Sequence, residues 1–139
     1  MARRRIQQTD LLTNLLSQLG VIRRALWRLV VGRHSGRLNK ERYHQHWQKI
    51  RALPDQRALL EADKLVDQAF QELGVVGQTF ADRLRAAERQ MSHETYQALW
   101  DAHKLRNQIA HELGYQLSHN VATKALQDFE RALRALRAL

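Results

Sequence analysis

The amino-acid sequence predicts an all-α protein, an up-and-down helical bundle preceded by an N-terminal basic amphipathic helix. The 139 residues include one proline and six glycines, and 44% of them are hydrophobic, a composition that favours helices and a buried core. Apolar residues recur every three or four positions along most of the chain, which is the spacing of one helix face. Residues that begin helices precede five such segments after position 38, and helices joined by short loops pack as neighbours in a bundle.

The net charge of +9 is concentrated near the N-terminus. Residues 1–40 hold nine Lys or Arg and one acid, giving +8, whereas the other ninety-nine residues hold fourteen basic and thirteen acidic side chains, giving +1. The chain has no cysteine, which excludes disulfides and thiolate metal sites. We therefore divide the chain into a basic helical arm with its linker over residues 1–38 and a helical bundle over residues 39–139.

The arm is predicted to form a helix over residues 9–31 that begins at Thr9. Its apolar positions form one narrow stripe, which suits packing on the bundle or on a second copy of the chain. The pair Arg23-Arg24 disfavours a membrane-spanning helix, while peripheral contact with a membrane through Trp27 is the alternative. A basic arm also attracts polyanions, and the candidate polyanion-binding residues are Arg3, Arg4, Arg5, Arg23, Arg24 and Arg28.

The first two helices of the bundle are predicted from Asn39 and from Pro54-Asp55, and the second should end at Gly74. The first helix should bury Tyr43, Trp47 and Ile50, and the second Leu59, Ala62, Val66, Ala69 and Leu73. The acids of the second helix, Glu61, Asp63 and Asp67, lie off this apolar face. We expect them to be solvated; the functional alternative is that one of them holds an arginine from another helix.

Three more helices follow. Thr79 with Asp82 resembles a capping box that begins a short helix lasting to about Gln90. Ser92 caps a helix that Gly114 ends, and Ser118 caps the last one, which is expected to run to the C-terminus. The helix from Ser92 should turn inward Tyr96, Leu99, part of Trp100, His103 or Leu105, and Ile109; the last helix should bury Val121, Ala125, Phe129, Leu133 and Leu136.

The candidate chemistry lies near the end of the helix from Ser92. The chain has no glycine-rich phosphate loop after a strand, no Gly-x-Ser-x-Gly and no His-Glu-x-x-His. Arg106 and His111 remain, five positions apart. A histidine can move a proton near neutral pH, and a guanidinium forks onto phosphate oxygens. The pair suits phosphodiester cleavage without a metal, with His111 as acid or base and Arg106 stabilising charge in the transition state.

The segment Arg106-Asn107-Gln108-Ile109-Ala110-His111 resembles the Arg-x(4–6)-His motif of the HEPN superfamily, a group of all-helical domains that includes many metal-independent endoribonucleases. The polar residue that commonly follows the arginine in this family is Asn107 here. The resemblance covers about residues 40–139 and is closest to small bacterial HEPN-like proteins with a lead-in such as Trp100-Asp101-Ala102-His103-Lys104. Arg28 to His34 and Arg37 to His44 share the spacing but lack the asparagine.

The resemblance implies an endoribonuclease that acts on RNA without a metal or other cofactor, in a toxin, defence or stress-response setting with an antitoxin partner. It implies a homodimer in which two copies of the motif face one cleft. The catalytic residues carried over are Arg106, Asn107 and His111, and the residues expected to support the cleft are Glu61, Asp63, His103 and Lys104. We expect a cytoplasmic protein, with peripheral membrane attachment through residues 9–31 left open.

Two other interpretations stay open at the level of sequence. In the first, Arg106 forms a salt bridge with Glu61 or Asp63 while His111 caps carbonyl groups at the helix end, and His103 and Lys104 are solvated. The chain would then be a non-catalytic HEPN-like module for binding a nucleotide or a protein, or for oligomerisation, attached to a membrane or a partner through its basic helix. In the second, it is a helical oligomerisation domain with no ligand.

Overall fold

The computed structural model describes residues 37–139, which form five α-helices and no strand. The helices are α1 (Lys40–Arg51), α2 (Asp55–Glu72), α3 (Phe80–Ala86), α4 (His93–His111) and α5 (His119–Ala135), with a single 3₁₀ turn at Glu88–Gln90 between α3 and α4. For the described residues, the prediction of an all-helical fold with five helices after the linker is confirmed. The predicted helix over residues 9–31 and the arginines of the arm lie outside the described residues.

The helices begin where local sequence predicts, because side chains satisfy backbone N–H groups that have no partner within the helix. Asn39, Ser92 and Ser118 each accept a hydrogen bond from a backbone N–H in the first turn of α1, α4 and α5. Thr79 and Asp82 form a complete capping box at α3. Hydrogen bonds from the Thr79 hydroxyl and backbone N–H lower the pKa of the Asp82 carboxyl below its usual value.

The helix ends differ from the predictions in small ways. The segment from Thr79 leaves α-helical geometry after Ala86 and continues as the 3₁₀ turn, since Ala87 already caps the last turn of α3. α4 ends at His111 and Gly114 adopts the left-handed conformation with φ +75° three residues later. α5 ends at Ala135, and the last four residues form a turn that still buries Leu136, Ala138 and Leu139.

α2 is the central helix of the described bundle and contacts each of the other four, while α4 and α5 also pack against each other. The core is continuous across all five helices, and its largest fully buried side chains are Tyr43, Phe70, Phe129, Leu59, Leu84, Leu99, Leu133 and Val66. Within residues 37–139, no helix combines the length and apolar composition that crossing a membrane requires.

Two predictions about buried faces are wrong. Val121 was expected to face inward but is 46% exposed, because the inward stripe of α5 is set by Ala122, Ala125 and Phe129, and Val121 stands one position out of phase. Asp63 was expected to lie in solvent but is only 5% exposed. It is buried because α2 is packed on more than one side, so a residue off its main apolar stripe still meets another helix.

Candidate functional site

A cluster of four polar side chains joins α4 to α2, and Asp63 is its only member from α2. The Asp63 carboxylate lies 2.7 Å from Nδ1 of His103 and 3.3 Å from Nε of Arg106. Asn107 closes the cluster: its amide nitrogen lies 3.1 Å from Nε2 of His103, and its oxygen accepts a hydrogen bond of 3.1 Å from Nη1 of Arg106. The structure therefore brings together four of the predicted residues, which we call the Asp63 cluster.

Hydrogen-bond chemistry fixes the state of His103 in this cluster. A carboxylate only accepts hydrogen bonds, so Nδ1 of His103 carries the proton toward Asp63. A guanidinium only donates, so the oxygen of Asn107 faces Arg106 and its amide nitrogen faces His103. Nε2 of His103 must then accept. In this arrangement the charge of Asp63 faces the guanidinium of Arg106.

Aromatic rings from α3 and α4 pack against His103 of the cluster. The ring of Phe80 stacks on the imidazole of His103, with centroids 4.2 Å apart and planes 9° from parallel, and Trp100 meets the same imidazole edge-on at 6.3 Å. This cover excludes water from the contact between His103 and Asp63, and both side chains are largely buried. An apolar cover strengthens the electrostatic interaction between Asp63 and Arg106 because it lowers the local dielectric.

Arg106 is anchored along one edge only. Its Nε faces Asp63 at 3.3 Å without forming a directed hydrogen bond, and its Nη1 is used by Asn107. In the described part of the chain, no hydrogen bond involves Nη2, and the side chain is 24% exposed. The guanidinium thus keeps donors that a phosphate oxygen could use.

His111 lies apart from this cluster at the end of α4. It is exposed and lines a cavity of about 300 Å³ with Gln56, Gly114 and Tyr115. The amide of Gln56 donates to the Tyr115 carbonyl at 3.4 Å, so the end of α4 and the following loop lie beside the start of α2. No hydrogen bond or ion pair joins Arg106 to His111 within residues 37–139, as expected for positions separated by about 140° around a helix.

The structure places two other predicted residues outside the Asp63 cluster. Glu61 forms a surface pair of 2.9 Å with Lys64, and it faces a groove on the other side of α2. Lys104 forms a pair of 3.3 Å with Asp101, and both side chains are mostly exposed. The predicted contact of Arg106 with an acid of the second helix is present, and the acid is Asp63 rather than Glu61. In the described part of the chain, no group of three His, Asp or Glu side chains could hold a metal ion.

Sequence reasoning missed a second buried ion pair on the same face of α2. Arg83 of α3 donates to both oxygens of Asp67 at 2.8 and 2.9 Å and to the Gly77 carbonyl at 2.6 Å. These hydrogen bonds to Asp67 raise the pKa of Arg83. Gly77 has φ +153°, and a Cβ there would lie 2.6 Å from the Arg83 backbone nitrogen, so only glycine fits. The one available signal was the four-residue spacing of Asp63 and Asp67, which places both acids on one face.

Comparisons of this chain with protein-family models, with curated proteins and with solved structures found no match. The function must therefore be argued from the geometry of α2 and α4.

Proposed function

We propose that this chain is a metal-independent endoribonuclease of the HEPN type, an up-and-down bundle whose active site uses the end of α4. The observation that supports this most directly is the state of Arg106. Its guanidinium is fixed along one edge by Asp63 and Asn107, and Nη2 forms no hydrogen bond in the described residues. Arg106 lies on α4, the helix that ends at the exposed His111. A pre-positioned cation and a free imidazole are the two groups that cleavage of RNA without a metal requires.

His111 is the proposed acid and base. It accepts the proton of the ribose 2′-hydroxyl as that oxygen attacks phosphorus, and a protonated imidazole gives a proton to the departing 5′-oxygen. The products are a 2′,3′-cyclic phosphate and a 5′-hydroxyl. The position of His111 beside a cavity of about 300 Å³ supports this role, because the imidazole is accessible to a nucleotide there.

Arg106 stabilises the charge that develops on the phosphoryl oxygens, and Asn107 holds the guanidinium in place. Asn107 is well suited to this task because its amide is itself held by His103, which Asp63 fixes in turn. Asn107 is thus a positioning residue in this proposal. The role gives a physical reason for a polar residue directly after the arginine.

A second copy of the chain completes the proposed site. Arg106 and His111 lie about 7.5 Å apart along α4 and about 140° apart around it, so one chain presents them in different directions. A homodimer with two α4 ends facing one cleft would let Arg106 of one protomer act with His111 of its partner. Activity of this kind fits a toxin, defence or stress-response setting with an antitoxin partner, and the basic arm would contact RNA or lipid.

The proposal is tested by incubating the full chain with a labelled RNA in EDTA. The wild-type protein should cut the RNA to products with 2′,3′-cyclic phosphate ends. His111→Ala should lower the rate by roughly 100-fold or more, since general acid–base catalysis contributes about 10²–10⁴-fold. Arg106→Lys should lower the rate by a similar factor, because lysine keeps the charge but lacks the planar guanidinium that can donate to two phosphate oxygens at once.

His93→Ala is the matched control for His111, because His93 is exposed at the opposite end of the same helix. It should leave the rate unchanged. Mixing Arg106→Lys with His111→Ala should restore part of the activity if two protomers share one site. Intact RNA with the wild-type chain, or equal cutting by His111→Ala and His93→Ala, contradicts the ribonuclease proposal.

The second candidate function is a non-catalytic HEPN-like module that binds a nucleotide or a protein, or oligomerises. The observation that favours it is the pairing of Arg106 with Asp63, which compensates the charge that catalysis would use. Such a module binds RNA or a nucleotide in EDTA without cutting it. Vesicle flotation of the full chain at two salt concentrations, with anionic and neutral lipids, tests attachment through the arm.

A further inference from the structure

A groove of about 420 Å³ runs between α1 and α2, on a different side of α2 from the Asp63 cluster. Three of its lining residues are permanent cations: Lys49 on α1, and Arg57 and Lys64 on α2. Its base is aliphatic and is formed by Ile50, Leu53 and Leu65, and one acid, Glu61, also lines the groove.

The helical spacing places the cations on both edges of the groove. Arg57 and Lys64 are separated by two turns of α2, about 10 Å at 1.5 Å per residue, and lie on one face. Lys49 stands opposite them on α1. Ile50 and Leu65 are buried beneath, with 7% and 5% of their surface exposed. The groove therefore has a basic rim, which can follow a chain of phosphates, above a base closed by buried aliphatic side chains.

The positive charge of the rim is largely unopposed. Lys49 and Arg57 take part in no ion pair within residues 37–139. Lys64 pairs with Glu61 at 2.9 Å, but the two side chains are 62% and 39% exposed. Exposed pairs of this kind contribute little and exchange easily, so Lys64 can turn to an anionic ligand.

The groove leads toward His111. Arg57 lines the groove, and the residue before it, Gln56, lines the cavity that contains His111. Both spaces therefore border the first turn of α2, at neighbouring positions about 100° apart around the helix. A strand that follows the rim past Arg57 would have to pass around this turn to reach the cavity of His111.

We infer that this groove binds the backbone of single-stranded RNA and directs it to His111, an inference that rests on the proposed function. The phosphates contact Lys49, Arg57 and Lys64. An unopposed basic rim favours an anionic ligand, and the anionic ligand of the proposed function is its RNA substrate.

The test measures binding of a fluorescent 12-nucleotide oligouridine to the full chain, by anisotropy at several salt concentrations. His111→Ala is the background, so that the RNA stays intact. The groove variant carries Lys49→Gln, Arg57→Gln and Lys64→Gln. The matched control carries Lys40→Gln, Arg89→Gln and Arg134→Gln, three exposed cations outside the groove with the same change in net charge.

The groove variant should bind roughly tenfold or more weakly, and the slope of log affinity against log salt should fall by about 2, since each lost phosphate contact on a single strand removes about 0.7. The control should change both quantities much less. Circular dichroism should show the same helical content in both variants. The groove triple substitution in a chain that keeps His111 should raise KM for long RNA by roughly tenfold or more, whereas the control triple substitution should raise it much less.

Equal affinities of the groove variant and the control overturn the groove assignment and leave the proposed function standing. Failure of the chain with His111 to cut any RNA overturns the proposed function, whichever variant binds. Tighter binding of polyglutamate than of oligouridine, lost in the groove variant, identifies an acidic protein as the occupant and overturns the assignment to RNA.

Discussion

Asp63 and Asp67 stand one turn apart on the same face of α2, and each meets an arginine from another helix in a different way. Asp67 receives two directed hydrogen bonds from Arg83, whose third nitrogen donates to the Gly77 carbonyl. Asp63 divides its oxygens between His103 and Arg106, and the contact with Arg106 is longer and lacks a directed hydrogen bond. The same two residue types thus form one complete pair and one partial pair.

The two arginines differ in how many of their donors are used and in how exposed they are. Each of the three nitrogens of Arg83 has an acceptor and the side chain is only 11% exposed, so little of this guanidinium is open to a ligand and it serves to tie α3 to α2. Arg106 keeps unused donors and 24% exposure, and it is oriented by Asn107 rather than saturated by Asp63. We infer that the first pair contributes mainly to stability and the second mainly to positioning.

Asp67→Asn should produce the largest loss of stability. Arg83 would keep its charge in a nearly buried position without a carboxylate, and breaking a buried ion pair from one side costs about 3 kcal/mol. Urea denaturation followed by circular dichroism measures this loss. Cleavage of RNA below the unfolding transition should equal that of the wild-type chain.

Asp63→Asn should lose less stability than Asp67→Asn but lower the proposed cleavage more. The amide oxygen can still accept from His103, so the stability loss should be about 1 kcal/mol, the value of an ordinary hydrogen bond. Arg106 would lose its carboxylate, and the proposed cleavage should fall by roughly tenfold, as expected for about 1.4 kcal/mol of lost orientation.

The two asparagine variants are each other's controls, because they make the same chemical change one turn apart. If Asp63→Asn and Asp67→Asn lose the same stability and change the cleavage rate by the same factor, the distinction between the two pairs is wrong. An Asp63→Asn chain with wild-type cleavage and about 3 kcal/mol of lost stability would assign Asp63 to structure alone.

The sequence predicts well what depends on neighbours along the chain. The caps at Asn39, Thr79 and Ser118 act on the next three residues, so they could be read without knowing the fold. The burial of Asp63 depends on which helices flank α2, and its contact with His103 spans forty positions. Four-residue spacing correctly places Asp63 with Asp67 and His103 with Asn107 on common faces, but it does not say which face meets which.

The smallest expected effect on stability concerns the capping box at the start of α3. This helix places Arg83 within reach of Asp67. Hydrogen bonds from Thr79 lower the pKa of Asp82 below its ordinary value of 3.8. A carboxyl with a lowered pKa in the folded state stabilises the fold above its ordinary pKa, and this contribution is lost as the pH falls through the folded-state value. The coupling between Thr79 and Asp82 should therefore be present at pH 7 and fade below about pH 3.8.

A double-mutant cycle with Thr79→Ala and Asp82→Asn isolates this coupling, since titration of the other acids cancels between the four proteins. The cycle also sharpens the contrast between the two ion pairs. α3 carries Arg83, so weakening the first turn of α3 should weaken the ion pair between Arg83 and Asp67 and lower the stability of the fold. Arg106, Asn107 and His111 belong to α4, and the proposed cleavage should stay unchanged across the cycle. A coupling that does not weaken at any pH below 3.8 contradicts the role of the Asp82 charge, and a loss of cleavage in Asp82→Asn would mean that α3 helps to position Arg106.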